Sequence, residues 1–568
     1  MKKQFALLII LVSLISNSLL SQQTFVDVAA NIGITGIVGL GHSVAWGDID
    51  KDGDPDLGLS DQSGNGYWFF RNDITSFSEI TSEAGLNGQV ANKTIIADFT
   101  GDGFNDLLIR NFGGFGERSS LFKNNGDGTF TNITAASNLP IMGVYSAADF
   151  NNDGILDVLS LDIIDNGNIS LQYGNGDGTF QPLEQIGVVW GYTPLAVFDF
   201  DRDGFIDIFW PTDVGATHPT TLLKNNGDGT FTNVTASTGI NFTSSSNASL
   251  DIGDLNNDGF IDMYIGGPDA KLYINSGDGT FSDITASSGA NGQNDADRTV
   301  TFADYNNDGW LDIFTSWHLL DNQMFSNNTD NTYTNVVNEL ELTGGGLLDF
   351  FGAGWADYNN DGAIDLFAAG HFDKWVLLEN QNAPGNSLFI NLEGVQSNYN
   401  AIGAQADLWI DGQRTSRNVL LDPGIQDYSD LRLHFGLGNA TVADSIIVNW
   451  PSGLEQTFYD VSGNTNITII EGEDILANQT PIVKDLQIAL FPNPTKSFSK
   501  LSFNLIKPET VRIVLYSISG QKLAELANTL FTEGNQEITF STKNLSAGLY
   551  FITIKTNDAS YSIKMVKE

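Results

Sequence analysis

The chain has 568 residues, 41% of them hydrophobic, no cysteine, and 69 Asp+Glu against 26 Lys+Arg, for a formal net charge of −43. Without cysteine there is neither a disulfide scaffold nor a thiol nucleophile, and a field of that sign repels nucleic acid and anionic membranes or glycans. The length suits roughly three to five domains, and an abundance of Gly, Asn, Asp and Thr favours short strands joined by tight turns over helices.

The first residues, MKKQFALLIILVSLISNSLLSQQ, place Lys2 and Lys3 before an apolar run that ends in small and polar residues. That layout predicts a secretory signal peptide over 1–21, removed near Ser21. No later stretch is apolar enough for a membrane-spanning helix.

Beyond it, one acidic stretch recurs seven times, starting at Asp48, Asp98, Asp149, Asp199, Asp254, Asp304 and Asp357. A period of about 50 residues marks a repeat architecture in which each unit is one supersecondary element. Between the acidic stretches, LFKNNGDGTFTNIT (121–134) returns as LLKNNGDGTFTNVT (222–235) and LYINSGDGTFSDIT (272–285), with a partial copy, LQYGNGDGTF, at 171–180. Two strand-like runs around Asn-Gly-Asp-Gly predict a hairpin. Each unit therefore reads as four strands: the TFTNIT type, one entering the acidic loop, one leaving it, and the LFKN type. Seven such units over 22–381 predict a seven-bladed β-propeller. The ends agree with closure. TFVDVAANIG (24–33) lacks its LYIN-type partner, and WVLLEN (375–380) lacks its TF strand, so joining them completes one sheet and leaves no exposed edge.

The acidic loops share one grammar, with Asp at positions one, five and nine, Gly at six, and an oxygen-bearing side chain at three. Loop one offers Asp48, Asp50, Asp52 and Asp56; loop two Asp98, Thr100, Asp102 and Asp106; loop three Asp149, Asn151, Asp153 and Asp157. Loop four offers Asp199, Asp201, Asp203 and Asp207; loop five Asp254, Asn256, Asp258 and Asp262. Loop six offers Asp304, Asn306, Asp308 and Asp312; loop seven Asp357, Asn359, Asp361 and Asp365. Gly at six permits the sharp turn that curls these oxygens around one point. An all-oxygen, mostly carboxylate set suits a hard cation, and the spacing follows the first half of an EF-hand loop. It departs from that loop by placing Asp at nine and running into a strand. The expectation is up to seven structural Ca²⁺ ions, each tying the entering strand to the leaving strand, with magnesium disfavoured because it dehydrates reluctantly. Loop two is the weakest candidate because Thr100 replaces a carboxylate or amide.

GHSVAWGDIDKDGDPDL and NNGDGTFTNIT resemble the FG-GAP and VCBS repeats of integrin-α-type propellers, especially those of the cartilage acidic protein group. The resemblance implies a propeller with calcium in these loops and, in its best-known members, a role in adhesion.

Downstream, about 386–475 has no acidic loop. AIGAQADLWIDGQ and RLHFGLGNATVADSIIVNWPSG resemble the ASPIC/UnbV domain, with matches at Gly403, Phe435–Gly438 and Trp450–Gly453, whereas DPGIQDYSD departs from it. The prediction is a small β domain packed on the propeller. Residues 476–484 read as a linker. Beyond it the charge balance reverses: residues 482–568 hold 10 Lys+Arg against 7 Asp+Glu. Alternating runs there predict a β-sandwich of about seven strands over 485–568, Ig-like in character. LFPNPTKS, YSISGQKL, LSAGLYFITI and KMVKE resemble the type A sorting domain of type IX secretion. That resemblance implies passage across the outer membrane to the cell surface or medium, with the type IX machinery as partner.

No P-loop or Gly-x-Ser-x-Gly elbow is present. His318 and His371 each stand six residues after the last Asp of their loops, with Trp317, Asp373 and Trp375 nearby, but two histidines without a third ligand make a weak site. Trp190, Trp210, Trp310 and Trp355 offer rings for sugar stacking, the last two being better placed to pack between blades. Three functional readings stay open. The favoured one is an exported, calcium-stabilised binding or adhesion protein recognising a glycan or protein, with no assigned catalytic residue. The alternatives are a secreted polysaccharide lyase or hydrolase and a purely structural envelope component.

Overall fold

The computed structural model describes residues 23–567 apart from 38–40, 62–65, 112–117, 140–142, 163–167, 189–194, 212–218, 244–248, 293–296, 318–319, 343–349, 371–374, 422–426, 474–479, 482–487, 506–507, 518–521, 533, 547 and 556–559. The predicted signal peptide, His318, His371, Asp373 and Trp190 lie outside the described residues.

Each acidic loop joins two antiparallel strands because its apolar flanks alternate with the pleat and bury on both sides. In repeat one, Gly41–Gly47 enters the loop, Asp56–Asp61 leaves it, and Tyr67–Asn72 and Phe77–Glu79 complete the sheet in that spatial order. Among the described residues, six four-stranded sheets of this kind follow along the chain. The NGDG stretches form the predicted hairpins, as where Arg118–Asn124 turns back into Phe130–Asn132. Thus the TF strand that opens each unit in sequence belongs to the sheet of the preceding loop. The two ends obey the same rule: Thr24–Asp27 pairs antiparallel with Trp375–Gln381, Thr24 opposite Gln381 and Asp27 opposite Leu378. Strand Gly41–Gly47 packs against the entering strands Ala91–Ala97 and Phe350–Ala356 of its neighbours. Its Trp46 indole nitrogen donates to the Gly354 carbonyl at 3.0 Å.

Residues 386–470 form two further sheets. One contains Asn386–Glu393, Leu433–Gly438 and Thr465–Ile470; the other contains Gln405–Ile410, Gln413–Asn418, Val442–Asn449 and Glu455–Ser462. One apolar cluster runs without interruption from repeats one to four into this second domain, which therefore sits on the repeats as expected. Two findings differ from the sequence reading. Residues 480–481, expected in a linker, add to the first of these sheets opposite Thr465 and Asn466. The atypical DPGIQDYSD stretch reaches into the repeats: Asp427–Tyr428 pairs in parallel with Val44–Ala45 as a fifth strand on the inner edge of the first sheet.

The last module has the expected two-layer form. A three-stranded sheet (Ala489–Phe491, Phe498–Leu505, Gly534–Ser541) faces a four-stranded one (Glu509–Ser517, Lys522–Phe531, Gly548–Lys555, Ser560–Lys567). They enclose their own core around Leu501, Phe503, Ile513, Leu515 and Ile552.

Candidate metal centre

In every loop the chain turns twice through the left-handed region. Position six is always Gly, with φ between 83° and 95°, where a Cβ would be strained. Position four, with φ between 54° and 66°, is Lys51, Gly101, Asn152, Arg202, Asn257, Asn307 or Asn360. Asn tolerates that conformation, Lys and Arg less well.

These turns aim backbone donors at the carboxylates. The position-six N–H donates to position one in all seven loops, at 2.6–3.1 Å. Position five accepts from the position-seven N–H at 2.9–3.1 Å. Position nine is the most deeply set. One of its oxygens accepts a backbone N–H from the third strand of the sheet, at 2.7–2.9 Å in all seven loops. In loops one to five its other oxygen accepts the position-two N–H at 2.9–3.1 Å. In loop seven the corresponding oxygen, Asp365 Oδ2, has no hydrogen-bond partner although the residue is fully buried, whereas in loop six the Tyr305 N–H still acts on Asp312 from position two.

The structure thus brings positions one, three and nine together. Carboxylate oxygens of Asp48, Asp50 and Asp56 lie within 4.8 Å of one another, as do those of Asp199, Asp201 and Asp207. Asp50 Oδ1 and Asp201 Oδ1 are buried without hydrogen-bond partners, while the Thr100 hydroxyl acts on Asp102 within its own loop. Where position three is Asn, as at Asn151, Asn256, Asn306 and Asn359, its amide oxygen accepts the position-five N–H.

The electrostatics record the crowding. Burial, reinforced by neighbouring carboxylates, pushes Asp106 up to about 7 and Asp157 and Asp207 up to about 8. It raises Asp56, Asp262, Asp312 and Asp365 well above the usual carboxylate range. At position one, Asp199 rises to about 6, and Asp254, Asp304 and Asp357 to about 7, for the same reason. Asp102 is the exception: burial would raise it, but the Lys123 ammonium at 2.7 Å and its loop donors lower it.

A set of residues that the sequence reading took only for hairpin formers links the loops. The first Asn of KNNGDG, or its equivalent, is buried in six repeats and sends its side-chain amide to the position-two carbonyl of the preceding loop. Asn124 reaches Ile49, Asn225 Phe150, Asn275 Phe200, Asn327 Leu255, Asn380 Tyr305, and Asn72 closes the circle on Tyr358, all at 2.7–2.9 Å. Repeat three has Gly174 there, where a Cβ would fall 2.3 Å from the Leu156 carbonyl oxygen. The N–H of Gly178 reaches Phe99 O instead, at 3.1 Å. The signal was visible as a recurring Asn, but its partner is 75 residues or more away for most copies.

The second domain covers the loops. Gly436 N–H donates to Asp304 Oδ2 at 3.0 Å, and a Cβ on Gly436 would fall 2.2 Å from that oxygen. Arg417 donates to Gly309 O, and Arg432 to Gly53 O, Asp357 O and Asn360. Asp98 N–H donates to Asn400. His434 sits on Asn307 at 2.9 Å with its ring stacked on Phe389. Burial and the two arginines hold it down to about 3, so it is neutral. Trp210 and Trp355 are buried, Trp355 against Phe25 and Phe314, and offer no ring for sugar stacking.

Family models match three parts of the chain. Residues 98–160, 149–210, 212–265 and 264–315 match the FG-GAP-like repeat, residues 394–475 match ASPIC and UnbV, and residues 489–568 match the secretion system C-terminal sorting domain. The chain therefore carries FG-GAP-like repeats, an ASPIC and UnbV segment and a sorting domain for export. Its repeated four-stranded sheets are propeller-like, and its sorting domain marks it for the type IX machinery and for the cell surface or secretion. No described helix is long and apolar enough to cross a membrane. Cartilage acidic protein 1 of Xenopus tropicalis is 27% identical over 212 residues, which is 35% of this chain and 32% of the relative, so the match spans about a third of that protein. Among solved structures, PorZ, a surface component of the type-IX secretion system of Porphyromonas gingivalis, aligns over 94% of this chain and 93% of its own, at 11% identity and a TM-score of 0.24. A glycoside hydrolase family 43 arabinoxylan arabinofuranohydrolase from Bacillus subtilis aligns over 93% of this chain and 96% of its own, at 9% and 0.23. Likenesses at these scores carry no argument about architecture or function.

Proposed function

We propose that this exported protein is a surface or secreted binding module whose repeat ring is held in shape by calcium in the seven acidic loops. The observation that supports the metal most directly is the fully buried, partnerless Asp365 Oδ2 in a loop of further oxygen donors. Leaving a buried carboxylate oxygen without a partner costs about 1–3 kcal/mol or more, and a hard dication satisfies it. Calcium, when bound, supplies counter-charge. Positions one, three, five and nine would hold it, while the loop N–H groups keep those side chains turned inward. A cation bound only by the folded state stabilises it by mass action, by about 2.7 kcal/mol per site at a hundredfold excess over Kd. The test is the melting temperature of the full chain in millimolar calcium against excess chelator. Equal values, with no calcium retained on dialysis, would remove the metal from this reading.

Adhesion to a glycan or protein is the binding role this scaffold suits best, as an exported, ring-like surface with no assigned catalytic group. Binding on arrays of glycans and surface proteins tests it. Turnover of a polysaccharide by the purified chain would replace it with the enzymatic reading.

A further inference from the structure

The residue just before the inter-repeat Asn, or before Gly174 in repeat three, differs in charge from repeat to repeat, and in two repeats it reaches the acidic loop. In repeat two it is Lys123, whose ammonium lies 2.7 Å from Asp102 Oδ2, position five of its loop. In repeat four it is Lys224, bonded to both Asp201 and Asp203, positions three and five, at 2.7 Å from Asp203 Oδ2. The ammonium is also 5.7 Å from the centroid of the Phe200 ring at position two. In repeat one the equivalent Arg71 turns away to Asp73, and in repeat seven the equivalent Glu379 accepts from Tyr358 Oη at 2.7 Å. Repeats three, five and six carry uncharged Tyr173, Ile274 and Ser326 there. Lysine contacts with the acidic loops are therefore built into loops two and four.

We propose that Lys123 and Lys224 are tethered internal cations that compete with a dication for their own loops. Loops two and four then bind a dication more weakly than the loops that no lysine enters; loop six is held differently, by the buried Arg417 guanidinium 3.7 Å from Asp304 Oδ2. This inference rests on the metal reading above. Its physical basis is that an ammonium on a flexible stem presents a point charge to the same oxygens. It satisfies part of the cluster when no metal is bound, and a dication must displace it. Loop four feels this more strongly, because Lys224 engages two loop carboxylates where Lys123 engages one. The lysines also let repeats two and four keep their loop geometry at cation concentrations that empty them.

The experiment is a calcium titration of the full chain by calorimetry, with the stoichiometry of each affinity class fitted. Wild type should show two classes. In Lys123→Ala/Lys224→Ala the weaker class should tighten by about 1.5- to fivefold and move towards the rest, the range expected when a partly exposed ion pair is removed. The same variant should melt lower than wild type in chelator, where the lysines supply counter-charge, and no lower in saturating calcium. Lys123→Arg/Lys224→Arg should retain two classes. Lys271→Ala, which removes a lysine paired with Asp283 outside the loops, should leave the titration unchanged. If wild type binds calcium but the double alanine variant titrates identically, the inference is wrong and the metal reading stands. If wild type binds none, both fall.

Discussion

The circle of asparagines makes a quantitative demand on Asn275. Its side-chain amide donates to Phe200 O at 2.8 Å and to Ile261 O at 3.3 Å, its oxygen accepts from Gly277 N at 3.0 Å, and the residue is fully buried. Asn275→Ala removes all three bonds but leaves the backbone bond from Asn275 N–H to Asp262 in place. At about 1 kcal/mol net for each bond, and more where a buried group is left unpaired, the loss should be about 2–4 kcal/mol. That corresponds to a fall of roughly 3–5 °C in Tm for a cooperative unit of about 360 residues. Asn226→Ala is the matched control: Asn226 bonds only at the exposed hairpin, to Thr230 and Thr232, and should change stability by no more than about 0.5 kcal/mol. Thermal and denaturant unfolding of both variants in calcium decide the matter, and hydrogen exchange should show the seam between repeats four and five loosening first. Equal melting of Asn275→Ala and Asn226→Ala would refute the claim that these side chains bind one repeat to the next.

Further outcomes follow from the same geometry. Gly436→Ala places a Cβ on Asp304 and should detach the second domain, giving a separate unfolding transition and new protease sensitivity near 381–386. Glu471 accepts backbone N–H groups from Val395, Gln396 and Ser397 at 2.6–2.8 Å, and a hydroxyl from Ser452. Burial raises its pKa, but those donors outweigh burial and lower it. Its contribution is therefore present above the unfolded carboxyl range and lost as pH falls through the folded pKa. Glu471→Gln should cost about 2 kcal/mol at pH 7 and flatten the acid limb of the second domain's stability, read by circular dichroism between pH 6 and 3. In chelator the loop carboxyls have the opposite sign. Asp106, raised to about 7, and Asp157 and Asp207, raised to about 8, favour folding when protonated. Stability should therefore decline from pH 5 to 8 in chelator, and a Tm that is flat over that window would contradict their burial.

What the sequence made legible was whatever repeats or alternates. Seven acidic loops at a near-constant period, the NGDG hairpins and the matching half-units at Thr24–Asp27 and Trp375–Gln381 gave the sheets and their closure, because each is a local pattern. The left-handed residue at position four was hidden, since Lys51 and Arg202 give no hint of φ near 60°. The asparagine circle was hidden as well, because Asn124 reads as a turn former until Ile49 is brought beside it. Gly436 and Arg417 carry no signal of their own; their role exists only once Asp304 lies underneath them. The stretch that fits its family least, around Asp427–Tyr428, is the part that leaves its own domain.

That excursion has a consequence for how the protein meets the outside. With Asp427–Tyr428 laid along Val44–Ala45 and the second domain hydrogen-bonded to the loop carbonyls, the acidic-loop face of the repeats is covered by the chain's own next domain. On the binding reading proposed above, that covered face is closed to a macromolecular partner, so substitutions on it should change stability rather than capture.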